Sequence, residues 1–302
     1  MKKIIYYFLF ITLFSIFSEK IYSQIENKDS KTIYELETKD GNKYLGTLIS
    51  INEDNIEMNT ESLGVMKFPK ALVKNFITVK PSTIVKGKIW NENPQSARYF
   101  WAPNGFGLEV GEGYYQNIWV LWNQASIGLT RNFSLGVGVI PLFLFSGTPT
   151  PVWIAPKFSI PVVKDKFNIG AGILAGAIID GNDNIGLGLV YGTGTYGNKN
   201  KNVSLGLGYG YADGEWANSP IVNVSALFRL TPKSYFITEN YYIGFENDWG
   251  ILSMNGFRFM LGKAAIDAAL IVPFGSELDS TILLPWLGFT IPFQTKQIER
   301  KK

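Results

Sequence analysis

The sequence contains no cysteine and no histidine. Disulfide scaffolds, Cys/His metal centres, His-ligated haem and nucleophile–histidine catalysis are excluded together. Charge is also scarce: Asp, Glu, Lys and Arg make up 18% of 302 residues, with 28 basic against 25 acidic and a net charge of +3. Without Lys2, Lys3, Glu19 and Lys20, which belong to the leader described next, 25 basic and 24 acidic residues remain. No field of that size steers a protein to nucleic acid. Past the leader, no uncharged run reaches the roughly 20 residues of a membrane-spanning helix. Glycine and aromatics are plentiful instead, at 31 residues and 15%. The length allows one large domain of about 200 residues plus a small one.

Residues 1–23 begin with Lys2 and Lys3, continue through an uncharged run from Ile4 to Phe17 and end on Ser23 before Gln24. This is the layout of a secretory signal peptide. The apolar run would rise roughly 21 Å as a helix, short of the roughly 30 Å hydrocarbon core. No cysteine follows it, so lipoprotein anchoring is excluded. An exported chain of this kind enters a membrane only as a closed barrel.

Residues 24–80 form the expected small β domain. Short strands are predicted at 32–38, 43–51, 55–59, 65–68 and 75–79, with a turn at Asp40-Gly41-Asn42. Leu36, Asp40, Gly41, Tyr44, Gly46 and Leu48, followed by Ile56, Met58, Val73, Phe76 and Ile77, resemble the Sm-like or SH3-like small barrels. The resemblance implies a fold and not RNA binding, because no Arg-rich or aromatic stacking platform accompanies it. The expected role is a periplasmic module that docks a partner or caps a pore. Residues 81–96, with Pro81 and Pro94, read as a linker.

From Ala97 onward the texture changes to alternating segments separated by polar turns. In Val203–Tyr211 every odd position is bulky and apolar and every even one is Ser or Gly, and Phe133–Val139 repeats the pattern. Strands are predicted at 99–110, 114–129, 133–145, 152–162, 167–178, 185–196, 203–211, 220–230, 234–245, 251–261, 265–273 and 281–293. They make about twelve, with ten or fourteen open because 97–130 and 140–152 divide poorly. A soluble β-sandwich would place Lys, Glu and Thr opposite its bulky face, whereas here that face is Gly, Ala, Ser and Asn. Strand length also suits a tilted bilayer crossing. The predicted fold is therefore all-β, a transmembrane antiparallel up-and-down barrel behind the small domain.

Turn charge agrees with this. Odd turns carry Glu112, Asp180, Asp183, Asp213, Glu215, Glu246, Asp248, Glu277 and Asp279, without Lys or Arg. Even turns carry Arg131, Lys164, Lys166, Lys199, Lys201, Lys233 and Lys263, with Asp165 the one exception. Alternate turns thus emerge on opposite sides of a membrane, and the basic side, with the tail 294–302, is expected to be periplasmic. The last strand, with Leu287, Gly288, Phe289, Ile291 and Phe293, resembles the assembly signal that ends outer-membrane barrels. Residues 97–293 with the leading domain resemble bacterial outer-membrane β-barrel proteins. The resemblance implies the outer membrane as location, with outer-membrane lipid and the barrel assembly machinery as partners and no nucleic acid.

Few charges fall within predicted strands: Glu109, Lys157, Arg229, Glu239, Arg258 and Asp267. Parity turns them to the lumen, with Glu239 ambiguous because Ile237 and Tyr241 share its face. Glu239, Arg258 and Asp267 form either a constriction that selects a solute by charge or structural ion pairs that fill a narrow lumen. Tyr99, Phe100, Trp101, Tyr114, Tyr115, Trp119 and Trp122 crowd the first hairpin and are expected to anchor at the lipid interface. Gly192–Gly197 spells GxGxxG, but no helix follows to aim a dipole at phosphate. No catalytic residue, metal site or cofactor is expected. The predicted function is a non-enzymatic barrel that passes or binds a small solute. The alternative is a structural or assembly subunit of an outer-membrane complex, docking a periplasmic or outer-membrane protein through the small domain.

Overall fold

The computed structural model describes residues 32–60, 63–79, 84–85, 88–90, 93–144, 149–179, 185–244, 249–275 and 282–295. The predicted leader and most of the tail lie outside them. The chain forms two units, Met1–Ile89 and Trp90–Lys302.

In the first unit, β1 (Ile33–Thr38), β2 (Lys43–Ile51), β3 (Asn55–Thr60), β4 (Gly64–Pro69) and β5 (Val73–Val79) pair antiparallel in the order β4-β3-β2-β1-β5. Alternation along β1 and β3 puts Leu36, Ile56 and Met58 on one face, where they pack with Phe68 into a small core. Tyr34 stacks on Phe76 of the neighbouring β5 at 4.9 Å. A single 3-10 turn, Lys70–Leu72, links β4 to β5, and among the described residues no ladder joins those two edges. The unit ends in the two-residue strands β6 (Ile84–Val85) and β7 (Lys88–Ile89).

The second unit is a closed barrel. Its strands are β8 (Glu112–Ile118), β9 (Trp122–Gly128), β10 (Phe133–Val139), β11 (Thr150–Val163), β12 (Phe167–Ile179), β13 (Ile185–Asn198), β14 (Lys201–Ala212), β16 (Ile221–Thr231), β17 (Ser234–Gly244), β18 (Trp249–Leu261), β19 (Ala264–Gly275) and β20 (Leu284–Gln294). The pair β15 (Glu215–Trp216) is a spur on β14. Each strand pairs antiparallel with the next and β20 closes on β8, giving twelve strands without a free edge. A helical turn, α1 (Pro141–Leu144), follows β10, where Pro141 has no N–H to continue the ladder.

Alternation sorts the side chains by face. Val137, Phe158, Leu205, Phe257 and Leu287 stand outward and are all more than 40% exposed, while Ser134, Thr195, Ser204, Ser225 and Thr290 point inward and are buried. An apolar surface that runs around a whole barrel is the surface a bilayer covers. Dense glycine inside has a local cause. A Cβ at Gly138 would sit 2.2 Å from the Trp153 ring, and one at Gly172 would sit 2.5 Å from the Tyr191 hydroxyl. Aromatics on one strand lie over glycines on the next.

Three boundaries differ from those expected, the first being residues 133–145, predicted as one strand, where β10 ends at Val139 and Pro141–Leu144 turn helical. Residues 114–129, predicted as one strand, are the hairpin β8–β9. Its turn escapes sequence reading because Trp119-Val120-Leu121 carries none of the usual turn residues; Trp119 and Val120 instead take φ of 51° and 67°. Residues 99–110, predicted as the first strand, form no ladder; 99–108 lie inside the barrel, and Asn93, Gln95 and Ser96 of the predicted linker are buried with them. The total of twelve survives because one predicted strand is two and another is none. Glu112 consequently begins β8 at the end of the barrel where the basic turns lie, opposite Gln294, and not in an acidic turn.

Candidate functional site: a clamped insert beneath an aromatic cavity

Residues 93–111 form an insert that threads the lumen as far as Leu108, gripped by inward side chains from around the wall, and leaves it at the exposed Glu109 and Val110. At the end with the basic turns, Asn93 donates to the Lys199 carbonyl at 3.0 Å and the Arg229 guanidinium lies 5.0 Å from the Trp90 ring. Deeper in, the Tyr99 hydroxyl bonds Asn202 and Ser204 of β14 at 2.7 and 2.6 Å. The Gly105 N–H donates to Thr195 of β13 at 2.7 Å, and a Cβ at Gly105 would meet the Asn168 carbonyl oxygen at 2.5 Å. Only a residue without a side chain fits so close to β12.

Charge provides the strongest grips. Arg258 of β18 donates Nε to Asp267 Oδ1 of β19 at 2.7 Å; register places the two directly opposite each other. Arg98 of the insert reaches the same carboxylate at 3.3 Å and bonds Thr290 of β20 and Gln95. Both guanidinium groups also donate to the Tyr99 carbonyl. Glu239 of β17 accepts the backbone N–H groups of Phe100, Trp101 and Ala102 at 2.8, 3.0 and 3.1 Å, and the Tyr241 hydroxyl at 2.6 Å. Four donors satisfy a carboxylate with no exposed surface. Lys157 of β11 donates to the carbonyls of Ala97 and Phe106 at 3.2 and 2.7 Å.

Five of the six predicted lumen charges therefore face inward, but four of them, Lys157, Glu239, Arg258 and Asp267, hold the insert and do not ring a passage. Glu239 stands apart from the Arg258–Asp267 pair and takes backbone donors only from the insert. Arg229 sits near the basic turns, donating to Asn200 Oδ1 at 3.1 Å and the Pro232 carbonyl at 2.8 Å. Glu109 is exposed, outside any strand, with its backbone N–H bonded to Glu112. Its placement in the lumen is corrected, because the residues around it form no strand to set its parity. Arg98, which joins insert to wall, escapes sequence reading because it falls between the predicted linker, ending at 96, and the predicted strand that begins at 99, where no parity gives it a face.

The predicted interface aromatics divide. Tyr99 and Phe100 are fully buried in the insert. Trp101, Tyr114 and Trp122 also face the interior, so only Tyr115 and Trp119 remain as exterior or turn residues; Trp119 donates Nε1 to the Pro285 carbonyl at 2.8 Å. In the final strand Leu287, Phe289, Ile291 and Phe293 are exposed outward while Gly288 faces Asp267.

Above the insert, toward the Trp119–Leu121 turn, the lumen holds a cavity of about 130 Å³. Its wall includes Trp101, Trp122, Tyr114, Tyr191, Tyr241 and Leu189, with Lys157 and Thr193 near its floor. Trp122 stacks on Trp153 at 3.7 Å, and Trp101 meets Trp122 edge-on at 5.5 Å. Tyr191 and Trp153 are inward aromatics facing glycine on the next strand, a pairing that sequence could have flagged. Among the described residues no three acidic side chains converge to hold a metal ion.

No family model matches the sequence, and no curated protein does. Solved structures similar to this chain include the CymD monoaromatic hydrocarbon channel, at 8% identity over 87% of each chain with a TM-score of 0.39. Outer-membrane expressed OmpT of Vibrio cholerae is similar at 13% identity over 87% of this chain and 94% of that one, with a TM-score of 0.35. Neither likeness assigns a ligand or a residue role here; the barrel is defined by its own closed ladder and apolar exterior.

Proposed function

We propose that the chain is a non-enzymatic bacterial outer-membrane barrel that binds a small solute in its lumen, with the insert controlling onward passage. The observation that carries this is the aromatic cavity directly above a clamped internal segment. The basic turns and the two chain termini of the barrel face the periplasm in this reading, and solute enters from the acidic side. Support comes from turn charge and from the outward alternation of the final strand, which also suits recognition by the barrel assembly machinery. The small domain is a periplasmic module of Sm-like or SH3-like kind, a reading supported by the five-strand order in which β1 pairs with both β2 and the last strand, β5. Glu239 and Asp267 are both engaged by the clamp, so these two carboxylates do not stand as a free acid–base pair.

A second reading, a structural or assembly subunit, is favoured by the extent to which residues 93–108 fill the lumen. Planar-bilayer conductance separates the two. The full chain is expected to conduct weakly and Arg98→Ala, which loosens the insert, to conduct more. Equal, negligible conductance for both, with no solute perturbing tryptophan emission, would leave the structural reading standing.

A further inference from the structure

We infer that the lumen cavity takes a small monocarboxylic acid with an aromatic or short apolar body, its carboxylate seated against Lys157. This rests on the solute-binding role proposed above and names the solute's chemistry. The body follows from the walls. Trp101, Trp122, Tyr114, Tyr191, Tyr241 and Leu189 offer ring faces and edges around about 130 Å³. A dry engineered cavity of about 150 Å³ accommodates benzene, so one ring is the right scale.

The head follows from charge and from hydrogen bonds left unmade. The buried charges of the barrel are Arg98, Lys157 and Arg258 against Glu239 and Asp267. Asp267 is shared by the two arginines, and Glu239 is filled by three amides and Tyr241. Lys157 has two carbonyl acceptors for three ammonium hydrogens, and among the described residues no carboxylate pairs with it. A buried ammonium without a counter-ion is costly, and a ligand that brings one removes that cost.

Two residues that line the same space carry buried donors without partners: the Trp122 indole N–H, which can only donate, and the Thr193 hydroxyl. An ammonium ligand would meet repulsion there, and a plain hydrocarbon would leave the third ammonium hydrogen and both of these donors unmet. Register names the residues that flank the head, and the Tyr191 hydroxyl lies over Gly172 beside it. Lys157 pairs across β12 with Gly172, which pairs with Tyr191, which pairs with Gly208; on its other side stands Ser134. The wall beside the ammonium is thus made of small residues apart from Tyr191.

The test uses the full chain in detergent micelles, titrated calorimetrically with benzoate, toluene and benzylamine. Benzoate is expected to bind at one site at least about tenfold more tightly than toluene, with benzylamine not binding. Lys157→Met should weaken benzoate by about tenfold or more and leave toluene unchanged or improved. Because Lys157 also holds the insert, Leu189→Trp provides a second arm: it fills the cavity from β13 without touching the ammonium and should abolish benzoate binding. Equal affinity for benzoate and toluene would overturn the carboxylate inference while leaving lumen binding intact. Benzoate binding that survives both substitutions would place the ligand elsewhere and overturn it outright.

Discussion

Val120 sits at φ 67° with a branched side chain, next to Trp119 at φ 51°. The left-handed region costs an ordinary residue about 1–2 kcal/mol, and a β-branched one more than most. Neighbours hold the turn there. Asn117 accepts the Val120 N–H at 3.2 Å, Asn123 donates to the Val120 and Leu121 carbonyls, and Trp119 packs edge-on against Trp286 at 5.2 Å. The Val120 side chain is exposed and contributes little in return. Val120→Asn, which tolerates this conformation, should therefore stabilise the barrel by up to about 1 kcal/mol, read as a raised urea midpoint in lipid vesicles. Glu239 presents the opposite case, a residue whose every contact is used. Glu239→Gln keeps the shape but replaces charged acceptors of three insert amides, costing about 1.5–3 kcal/mol of insert docking. Hydrogen exchange should lose protection at residues 100–102 while the barrel strands keep theirs.

The insert shows which elements a sequence discloses. The long strands β11–β14 and β16–β20 are legible because lipid on one side and a narrow lumen on the other impose opposite demands on alternate residues. The strands of the small domain are legible for a similar reason, with Leu36, Ile56 and Met58 marking its buried face. Residues 93–111 obey neither rule: their backbone is met by side chains from distant strands, such as Glu239 and Lys157, and nothing local announces those partners. The inward parity of Arg258 and Asp267 was readable, but the guest they hold was not. Close approach at Gly105 offers a way to release the insert without altering the wall. Gly105→Val places a branched side chain against the Asn168 carbonyl, where a Cβ alone would lie at 2.5 Å. Trypsin should then cleave after Arg98, which is buried in the parent protein, and bilayer conductance should rise, while heat-resistant electrophoretic mobility of the barrel is retained.

At the scale of the whole molecule, stability depends on what solvent meets the outer wall. Leu205 lies near the middle of β14 and is 62% exposed, with its pairing partners Gly194 and Val224 on the flanking strands β13 and β16. In a water-facing barrel an Arg at such a site would change stability by no more than about 0.5 kcal/mol, since nothing is buried and no contact is lost. In a bilayer the same substitution places a guanidinium among acyl chains near midplane, at a cost of about 2–4 kcal/mol. Leu205→Arg should therefore destabilise the protein strongly in phospholipid vesicles. Val203→Arg, two residues nearer the basic turn, should cost less because from that shallower position the same side chain reaches the headgroups. Reversible unfolding in vesicles followed by tryptophan emission measures both. A graded penalty along one outward row of β14 requires a hydrophobic slab around the barrel, and equal, near-zero effects at the two positions would mean that water covers that wall.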